Sequence, residues 1–289
     1  MDEGRARSRV RVPRGMADRA REFAAAGLPP AVPRDAATVI LVRPGPGVGG
    51  VEVFLLRRTE ALEFAPGACV FPGGSVDGRD ADPAIAGEGW AGPAPADLGR
   101  LLGISPDRAG ALVCAAVRET FEECGVLLAG PSPTELVRDS VVPVADRQRL
   151  LDGSLSLGEL LSRHGLVLRA DLLTPWARWI TPEISPRRFD TWFFAAALPP
   201  GQLAGLAAAG PGESDLGTWW RPTAALEAAR AGEITLLPPT AVTLAELAAH
   251  ADIAGVLAER RVITPLMPTL VVEGERIWLA MPQAVEYPL

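Results

Sequence analysis

Residues 118 to 126 read RETFEECGV, and they close a stretch of helical periodicity that covers 109–124. Apolar side chains recur there at intervals of three and four residues, and Gly125 follows as the residue type that commonly ends a helix. Residues spaced by three and four positions lie on the same side of a helix. The predicted helix therefore carries three carboxylates on one face, opposite its apolar face: Glu119, Glu122 and Glu123.

This acidic face is unfavourable for an isolated helix. It lies in the last turns, where the helix dipole disfavours anions by about 0.3 to 1 kcal/mol each. No arginine follows Glu119 or Glu122 four residues later to pair with it. Hard divalent cations such as Mg²⁺ bind carboxylate oxygens together with water and phosphate oxygens. The face is therefore either a metal site or a solvated acidic surface.

Composition narrows the class of protein. The chain has 289 residues, of which 48% are hydrophobic and 22% are charged, as in one large globular domain or two small ones. Its net charge of −7 argues against nucleic-acid binding. All 28 basic residues are arginine, which excludes P-loop and Schiff-base lysines. Three cysteines without a C-x-x-C pair, and no apolar run long enough for a membrane span, predict a cytoplasmic protein without a membrane partner.

The patterns along the chain alternate between strands and helices, without the strict repeat of a doubly wound sheet. A mixed sheet between helices is therefore expected. The predicted strands are 36–42, 51–56, 191–198 and 218–220, with two more in 270–282. The other predicted helices are 16–27, 157–164, 222–231 and 241–261.

The predicted domain organisation is an N-terminal arm, 1–34, followed by one domain, 35–289. The arm is expected to be solvated apart from its short helix. Residues 78–108 are rich in Gly, Ala, Pro and Asp, which indicates an inserted surface loop with a short helix around 96–102. Because such a loop should bury little apolar surface, a Gly/Ser linker in place of 78–105 is expected to leave a folded protein. A helical C-terminal extension is expected over 232–289.

Two segments resemble the two halves of a known motif. RETFEECGV is similar to the second half of the Nudix box, with Thr120 where an aliphatic residue is usual, and FPGGSVD (71–77) is similar to the first half. The 43 residues between Gly74 and Arg118 exceed the usual gap. One branch of the Nudix superfamily, the coenzyme A and acyl-CoA diphosphatases, carries such an insertion, and RRFDT (187–191) also resembles that branch. The resemblance implies a Nudix-type α/β/α sandwich with a mixed sheet.

The resemblance also implies roles for individual residues. The three glutamates would hold Mg²⁺ or Mn²⁺, and Arg118 would steady the loop by pairing with an acid. Gly73 and Gly74 would let the backbone approach the metal. The first acid of the box stays unassigned: Asp80 has the spacing from Gly74, but the insertion separates it from Arg118 along the chain, and Asp77 is the other candidate.

The chemistry follows from the charge of a diphosphate. Metal ions neutralise it and acidify a bound water, which attacks phosphorus while a general base accepts its proton. Glu119 and Glu213 are the candidates for that base, and Glu213 is equally consistent with a polar turn before a strand. For the phosphates, Arg58, Arg187 and Arg188 are candidates, although the last two could instead pair with Asp190.

The predicted function is metal-dependent hydrolysis of a nucleoside diphosphate linked to another group. Coenzyme A or acyl-CoA, cut to 3′,5′-ADP and (acyl-)4′-phosphopantetheine, is the first candidate substrate. ADP-ribose or NADH is the alternative, and a non-catalytic Nudix-like regulator is the alternative from another class. The presence of Glu119, Glu122 and Glu123 argues against a non-catalytic protein. The expected partner is the small-molecule substrate, with a homodimer left open.

Overall fold

The structure is a computed structural model that describes residues 9–11, 18, 21–23, 25–27, 29–47, 50–60, 66–82, 85, 87, 89–138, 141–205, 214–273, 276–282 and 285–289. Its strands are β1 Arg9–Arg11, β2 Arg34–Pro44, β3 Val51–Arg58, β4 Ala68–Val70, β5 Gly73–Ser75, β6 Trp90–Ala91, β7 Ala129–Gly130, β8 Val167–Arg169, β9 Thr174–Ile180, β10 Phe189–Ala197, β11 Ser214–Trp220, β12 Thr235–Leu236, β13 Pro265–Leu266, β14 Thr269–Glu273 and β15 Arg276–Ala280. Its helices are α1 Pro95–Leu102, α2 Pro106–Cys124, α3 Val144–Leu151, α4 Leu157–His164, α5 Pro222–Arg230, α6 Pro238–Leu247 and α7 Ile253–Ala258, with 3₁₀ turns at Gly78–Ala81 and Ala170–Leu172.

A mixed sheet runs through the middle of the molecule. Its path is β12-β4-β3-β2-β10-β9-β13, with β11 paired to β3 and β5 paired to β2. Strands β2 and β3 are antiparallel, whereas β10 runs parallel to β2, in the register Phe189 opposite Arg34. Two three-stranded sheets, β1-β15-β14 and β6-β8-β7, complete the described strands. The predicted mixed sheet is confirmed.

Each face of the central sheet is covered by its own apolar core. Along β2, Val39 and Leu41 pack into the core that contains the apolar face of α2, while Ile40 and Val42 pack into the core that contains α5 and α6. This alternation follows from the two-residue period of a strand, which sends successive side chains to opposite faces. The sheet therefore lies between helices, as the α/β/α sandwich requires.

The segment predicted as an inserted loop is part of the core, so that prediction is wrong about its burial. It forms a 3₁₀ turn, β6 and α1, and Ile85, Leu98 and Leu102 are buried in the core that contains α2. Alanine and proline are abundant there, but the few large apolar residues are spaced so that α1 buries one side. Replacing 78–105 by a linker should therefore destabilise the protein. The boundaries of the insertion remain a prediction.

Three further expectations change. Arg9–Arg11 is not a solvated arm, because it forms β1, antiparallel to β15. The helix predicted over 241–261 is two helices, α6 and α7, because the Asp252 side chain accepts a bond from the Gly255 N–H and starts a new helix. The C-terminal extension is mixed rather than helical, since β12 and β13 join the central sheet. Within the predicted helix 16–27, residues 18, 21–23, 25 and 26 are helical, and 16, 17, 19, 20 and 24 lie outside the described residues.

Cys69, Cys114 and Cys124 are buried and free. Within the described part of the chain, no helix combines the length and the apolarity needed to cross a membrane.

Candidate functional site

Helix α2 presents the three glutamates because both of its ends are set by local sequence. Ser105 accepts a hydrogen bond from the Arg108 N–H at the N-terminus, and Pro106 occupies the first helical position. Gly125 adopts a left-handed conformation with a φ of 76°, and its N–H donates to the Phe121 carbonyl at 3.0 Å. The apolar face of the helix packs on β2, which leaves the glutamate face (Glu119, Glu122 and Glu123) toward β5.

The glycine pair allows β5 to approach this face closely. The N–H of Gly73 donates to Glu123 Oε2 at 2.7 Å. A Cβ atom on Gly74 would overlap the Glu119 carboxylate, lying 2.7 Å from Oε2. A Cβ on Gly73 would overlap Thr38 on the neighbouring strand β2. Side chains at these two positions would therefore displace either the strand or the glutamates.

Arg118 is buried at the centre of the site and bonds to several oxygens at once. Its Nε and Nη2 donate to the two carboxylate oxygens of Asp80 at 2.8 and 2.9 Å. Its Nη1 donates to Glu119 at 2.9 Å and to Glu122 at 3.1 Å. Nη2 also donates to the Ser75 carbonyl at 3.0 Å, which ties the helix to the end of β5. Arg118 thus steadies the loop by pairing with an acid, as the resemblance implied.

Asp80 is the partner that the sequence left unassigned, and its distance along the chain from Arg118 proved misleading. The 3₁₀ turn Gly78–Ala81 packs on α2 and brings Asp80 to the guanidinium, although 38 residues separate the two in sequence. Asp80 is only 2% exposed. Asp77 instead caps the turn, and its bond with the exposed Arg79 lowers the pKa of Asp77 to about 2. The six-residue spacing from Gly74 was the sequence signal that favoured Asp80 over Asp77, and the assignment of the first acid of the box stays a prediction.

The charges in this site are out of balance. Among the described residues, three carboxylates, those of Asp80, Glu119 and Glu122, form ion pairs with the same guanidinium, that of Arg118. Burial raises the pKa of Glu122 to about 7, an effect that Arg118 opposes and the neighbouring Glu119 reinforces. The site is therefore a buried region of excess negative charge, which an added cation would stabilise.

The glutamate side chains are engaged with protein groups rather than arranged around a common point. In the part of the chain that the structure describes, no three acidic, His or Cys side chains form a group that could hold a metal ion as they stand. Glu119 and Glu122 bond to Arg118, and Glu123 bonds to the Gly73 N–H. The oxygen donors and the excess negative charge nevertheless suit a hard divalent cation, provided that these carboxylates turn from their present partners.

The structure gives the predicted substrate arginines different surroundings. Arg188 is buried, and its guanidinium donates to the carbonyls of Thr181 and Ala31 at 2.9 and 2.8 Å and contacts the Met267 sulfur. It braces the fold and is only 8% exposed, so its surroundings do not favour the predicted contact with a substrate phosphate. Arg187 is exposed in the turn before β10, and Arg58 ends β3. Glu213 lies outside the described residues.

Asp190, in the RRFDT segment, has partners that sequence reasoning missed. It pairs with Arg178 at 2.6 Å and with Arg108 of α2 at 2.7 Å, rather than with Arg187 or Arg188. Arg108 also bonds to Asp35 on β2, and the guanidinium of Arg178 stacks 4.6 Å from the ring centre of Trp192. This cluster anchors the first turns of α2 to the sheet. No local sequence pattern indicates it, because its members are 73 or more residues apart except for those on β9 and β10.

The comparison with known proteins identifies the family. A family model described as the NUDT19 Nudix domain matches residues 100–247, about half of the chain. The chain belongs to the Nudix hydrolases. A solved Nudix hydrolase from Alicyclobacillus acidocaldarius superimposes with a TM-score of 0.65 and 29% identity, covering 80% of this chain and 98% of that one. The fold shown by the central sheet and α2 is therefore that of this family.

The curated relatives of this Nudix hydrolase include diphosphatases. The acyl-coenzyme A diphosphatase NUDT19 of Gallus gallus is 30% identical, over 74% of this chain and 68% of the relative. The human protein of the same name is 31% identical, over 72% of this chain and 63% of the relative. The chain thus spans about two thirds of the length of the curated relatives it matches.

Proposed function

We propose that this Nudix hydrolase cleaves the diphosphate of coenzyme A or acyl-CoA. The products would be 3′,5′-ADP and 4′-phosphopantetheine or its acyl derivative. The observation that carries the proposal is the glutamate face, which combines excess negative charge with Arg118 and the glycine pair of β5. The diphosphatases among the relatives support the choice of substrate class.

Glu119, Glu122 and Glu123 would hold Mg²⁺ or Mn²⁺. When bound, such cations neutralise the diphosphate and make water a better nucleophile. The chain's own residues place this face: Arg118 and Asp80 fix α2 against β5. The Gly73 N–H keeps Glu123 beside β5, and Glu123 would turn from this bond to hold a cation.

The reaction consumes one water. A new bond forms between its oxygen and one phosphorus, and the bond from that phosphorus to the bridging oxygen breaks. The water proton passes to a carboxylate, for which we propose Glu119 in the site or Glu213 in the segment before β11. The dependence of kcat/KM on pH distinguishes the two residues. If Glu119→Gln leaves the fall in rate at low pH unchanged, Glu213 is the residue that accepts the proton.

Recognition of the 3′-phosphate must use arginine, because the chain has no lysine. We propose the exposed Arg187 for this contact, with Arg58 as the second candidate. Arg188 serves as the matched structural comparison, since its donors bond to backbone carbonyls.

The experiment that tests the substrate is a rate comparison in Mg²⁺ of coenzyme A, 3′-dephospho-coenzyme A, ADP-ribose and NADH, with products identified by mass spectrometry. Coenzyme A should have the highest kcat/KM. Arg187→Ala should lower kcat/KM for coenzyme A by about 1.5 to 3 kcal/mol, the range for a hydrogen bond to a charged group, and much less for the dephospho form. Faster cleavage of ADP-ribose or NADH than of any coenzyme A species would contradict the proposed substrate. Equal losses of kcat/KM on coenzyme A and its dephospho form would show that Arg187 does not contact the 3′-phosphate.

A further inference from the structure

A cavity of about 300 Å³ lies beside the C-terminal end of α2. Its walls are largely apolar, with contributions from Phe121, Leu127, Val137 and Val142. Two arginines, Arg138 and Arg147, also line it, and no carboxylate does so among the described residues. An apolar wall with a few charged groups is the general composition of a small-molecule site, and here both charged side chains are cationic.

Arg147 is the more buried of these two arginines and is incompletely bonded. Its Nη2 donates to the Glu122 carbonyl at 3.0 Å, and its guanidinium carbon lies 5.8 Å from the ring centre of Phe121. Its Nε is buried and has no hydrogen-bond partner in the described part of the chain. Burial lowers the pKa of Arg147. A buried N–H without a partner is costly, so the fold satisfies this guanidinium only in part. Because Nε is shielded from solvent, a ligand acceptor would meet Arg147 at Nη1, for which the described residues supply no hydrogen bond.

The remaining polar side chain of the cavity is already committed to the fold. The Gln202 amide accepts from the Leu127 N–H at 2.8 Å and donates to the carbonyls of Leu127 and Val137 at 2.9 Å each. It therefore holds one wall in place and has little capacity left for a ligand. Arg138 is exposed at the rim. The two guanidinium groups are thus the polar groups that a ligand would meet.

The neighbouring helix end does not remove this positive charge. The C-terminus of α2 carries partial negative charge, but the bond from Arg147 to the Glu122 carbonyl satisfies one of its free acceptors. Arg147 thus bonds to the helix end through Nη2, while its Nη1 makes no hydrogen bond to a described residue.

We propose that this cavity binds a small anion with an unbranched apolar chain, its carboxylate or phosphate head on Arg147 and Arg138 and its chain against Phe121 and the valines. The proposal does not depend on the hydrolase activity, because none of the glutamate side chains lines the cavity. Carboxylate and phosphate heads share the chemistry that a guanidinium recognises.

The experiment is calorimetric titration of the full chain with octyl phosphate and with octanoate, in buffer with EDTA so that no metal participates. Octanol is the uncharged probe with the same chain, and inorganic phosphate is the head without a chain. Arg147→Gln should weaken octyl phosphate at least about tenfold, as expected for a charge-assisted bond, and Arg138→Gln should weaken it by a smaller factor. Because Arg138 is exposed, its variant also serves if Arg147→Gln fails to fold.

The matched control is Arg149→Gln, on the same helix α3 but paired with Asp146 and outside the cavity lining. It should bind as the wild type does. Glu119→Gln should also bind normally, which separates this site from the glutamate face. Octanol or inorganic phosphate binding as tightly as octyl phosphate, or an equal loss in Arg149→Gln, would overturn the proposal. So would the absence of saturable binding of both octyl phosphate and octanoate. Preferential binding of one of those two would identify the head group.

Discussion

The buried pair of Asp80 and Arg118 connects the segment before α1 with the helix that bears the glutamates. Two hydrogen bonds join these residues, and both are almost fully removed from solvent. Arg118 keeps Glu119 and Glu122 as partners when Asp80 loses its charge. The cost is therefore that of a weakened charge-assisted hydrogen bond, about 1.5 to 3 kcal/mol. Asp80→Asn should therefore lower the free energy of unfolding by about that amount, as measured by chemical denaturation.

Asp77→Asn is the matched control for this prediction. Asp77 lies three residues earlier, and its partner Arg79 is largely exposed, as is Asp77 itself. An exposed pair contributes about 0 to 1 kcal/mol, and asparagine can still cap the turn. Equal losses in the free energy of unfolding of the two variants would show that burial of the Asp80–Arg118 pair adds nothing to its contribution to stability.

Glu122 makes the stability of the metal-free protein depend on pH. Burial raises its pKa from the ordinary 4.5 to about 7. The folded protein then binds this proton more tightly than the unfolded chain, so its stability falls as pH rises from 4.5 to 7. In EDTA, the free energy of unfolding of Glu122→Gln should be higher than that of the wild type by up to about 3 kcal/mol at pH 8. Near pH 4 the two free energies should be equal.

Denaturant titration at the two pH values, with and without Mg²⁺, measures this difference. Mg²⁺ should narrow the gap at pH 8, since a bound cation favours the charged carboxylate. A Gln variant less stable than the wild type at pH 8 would mean that the bond to Arg118 outweighs the cost of burial.

Individual residues were predictable from sequence where a helical period or a motif fixed their position. The spacing of Glu119, Glu122 and Glu123 placed them on one face of α2, and the structure confirms that placement. The partners of Asp190 and Arg188 could not be found in this way, because their contacts join distant elements. A charged residue in a motif can serve the fold as readily as the substrate.

At the scale of elements, the contact of β5 with α2 requires a residue without a side chain. Gly74→Ala would place a methyl group on the Glu119 carboxylate. That carboxylate is the end of a flexible side chain, so the free energy of unfolding should change little. Activity should fall about tenfold to a hundredfold, because a shift of about 1 Å in a catalytic group is costly. Steady-state kinetics and thermal denaturation of the same sample measure both effects.

Gly78→Ala is the control, since a Cβ there meets no atom within 4 Å. It should retain wild-type activity and stability. Wild-type activity in Gly74→Ala would show that Glu119 is free to move without consequence for the reaction.

The segment containing α1 is held by its apolar side chains. Leu98 is 4% exposed in the core against α2, whereas Leu101 on the same helix is 60% exposed. Leu98→Ala should cost about 2 to 5 kcal/mol in chemical denaturation, and Leu101→Ala less than about 0.5 kcal/mol. A negligible loss in Leu98→Ala would restore the view of this segment as a dispensable loop.

Elements with a strong local signal were predicted correctly, and elements defined by tertiary contacts were not. Helix α4 was predicted at its observed ends, 157 and 164, where Ser156 and Glu159 form a capping box. The pattern over 241–261 was read as one helix because its apolar period continues across the break that Asp252 creates. The burial of α1 was not predicted, because the segment is rich in Gly, Ala and Pro. Composition alone does not show which few residues face a core.

At the scale of the whole molecule, the sandwich follows from strands β2, β3 and β10, which are apolar on both faces. Their successive side chains enter opposite cores. The order of the strands does not follow from this pattern, because the parallel pairing of β10 with β2 joins segments about 150 residues apart. The resemblance of two short motifs to a known family supplied the expectation of that architecture. In this chain Asp80 stays at the site, and the apolar residues of α1 pack in the core that contains α2.

The central claim is that the glutamate face of α2 hydrolyses a diphosphate, and product analysis in ¹⁸O-labelled water tests it most directly. Coenzyme A is incubated with Mg²⁺ or Mn²⁺ and with the wild type, Glu122→Gln, Glu123→Gln or the exposed control Glu227→Gln. We predict 3′,5′-ADP and 4′-phosphopantetheine with one ¹⁸O between them for the wild type and the control. Both variants of the face should fold yet lose most activity and metal affinity. Undiminished turnover in both variants, or no cleavage of any diphosphate by the wild type, would contradict the account.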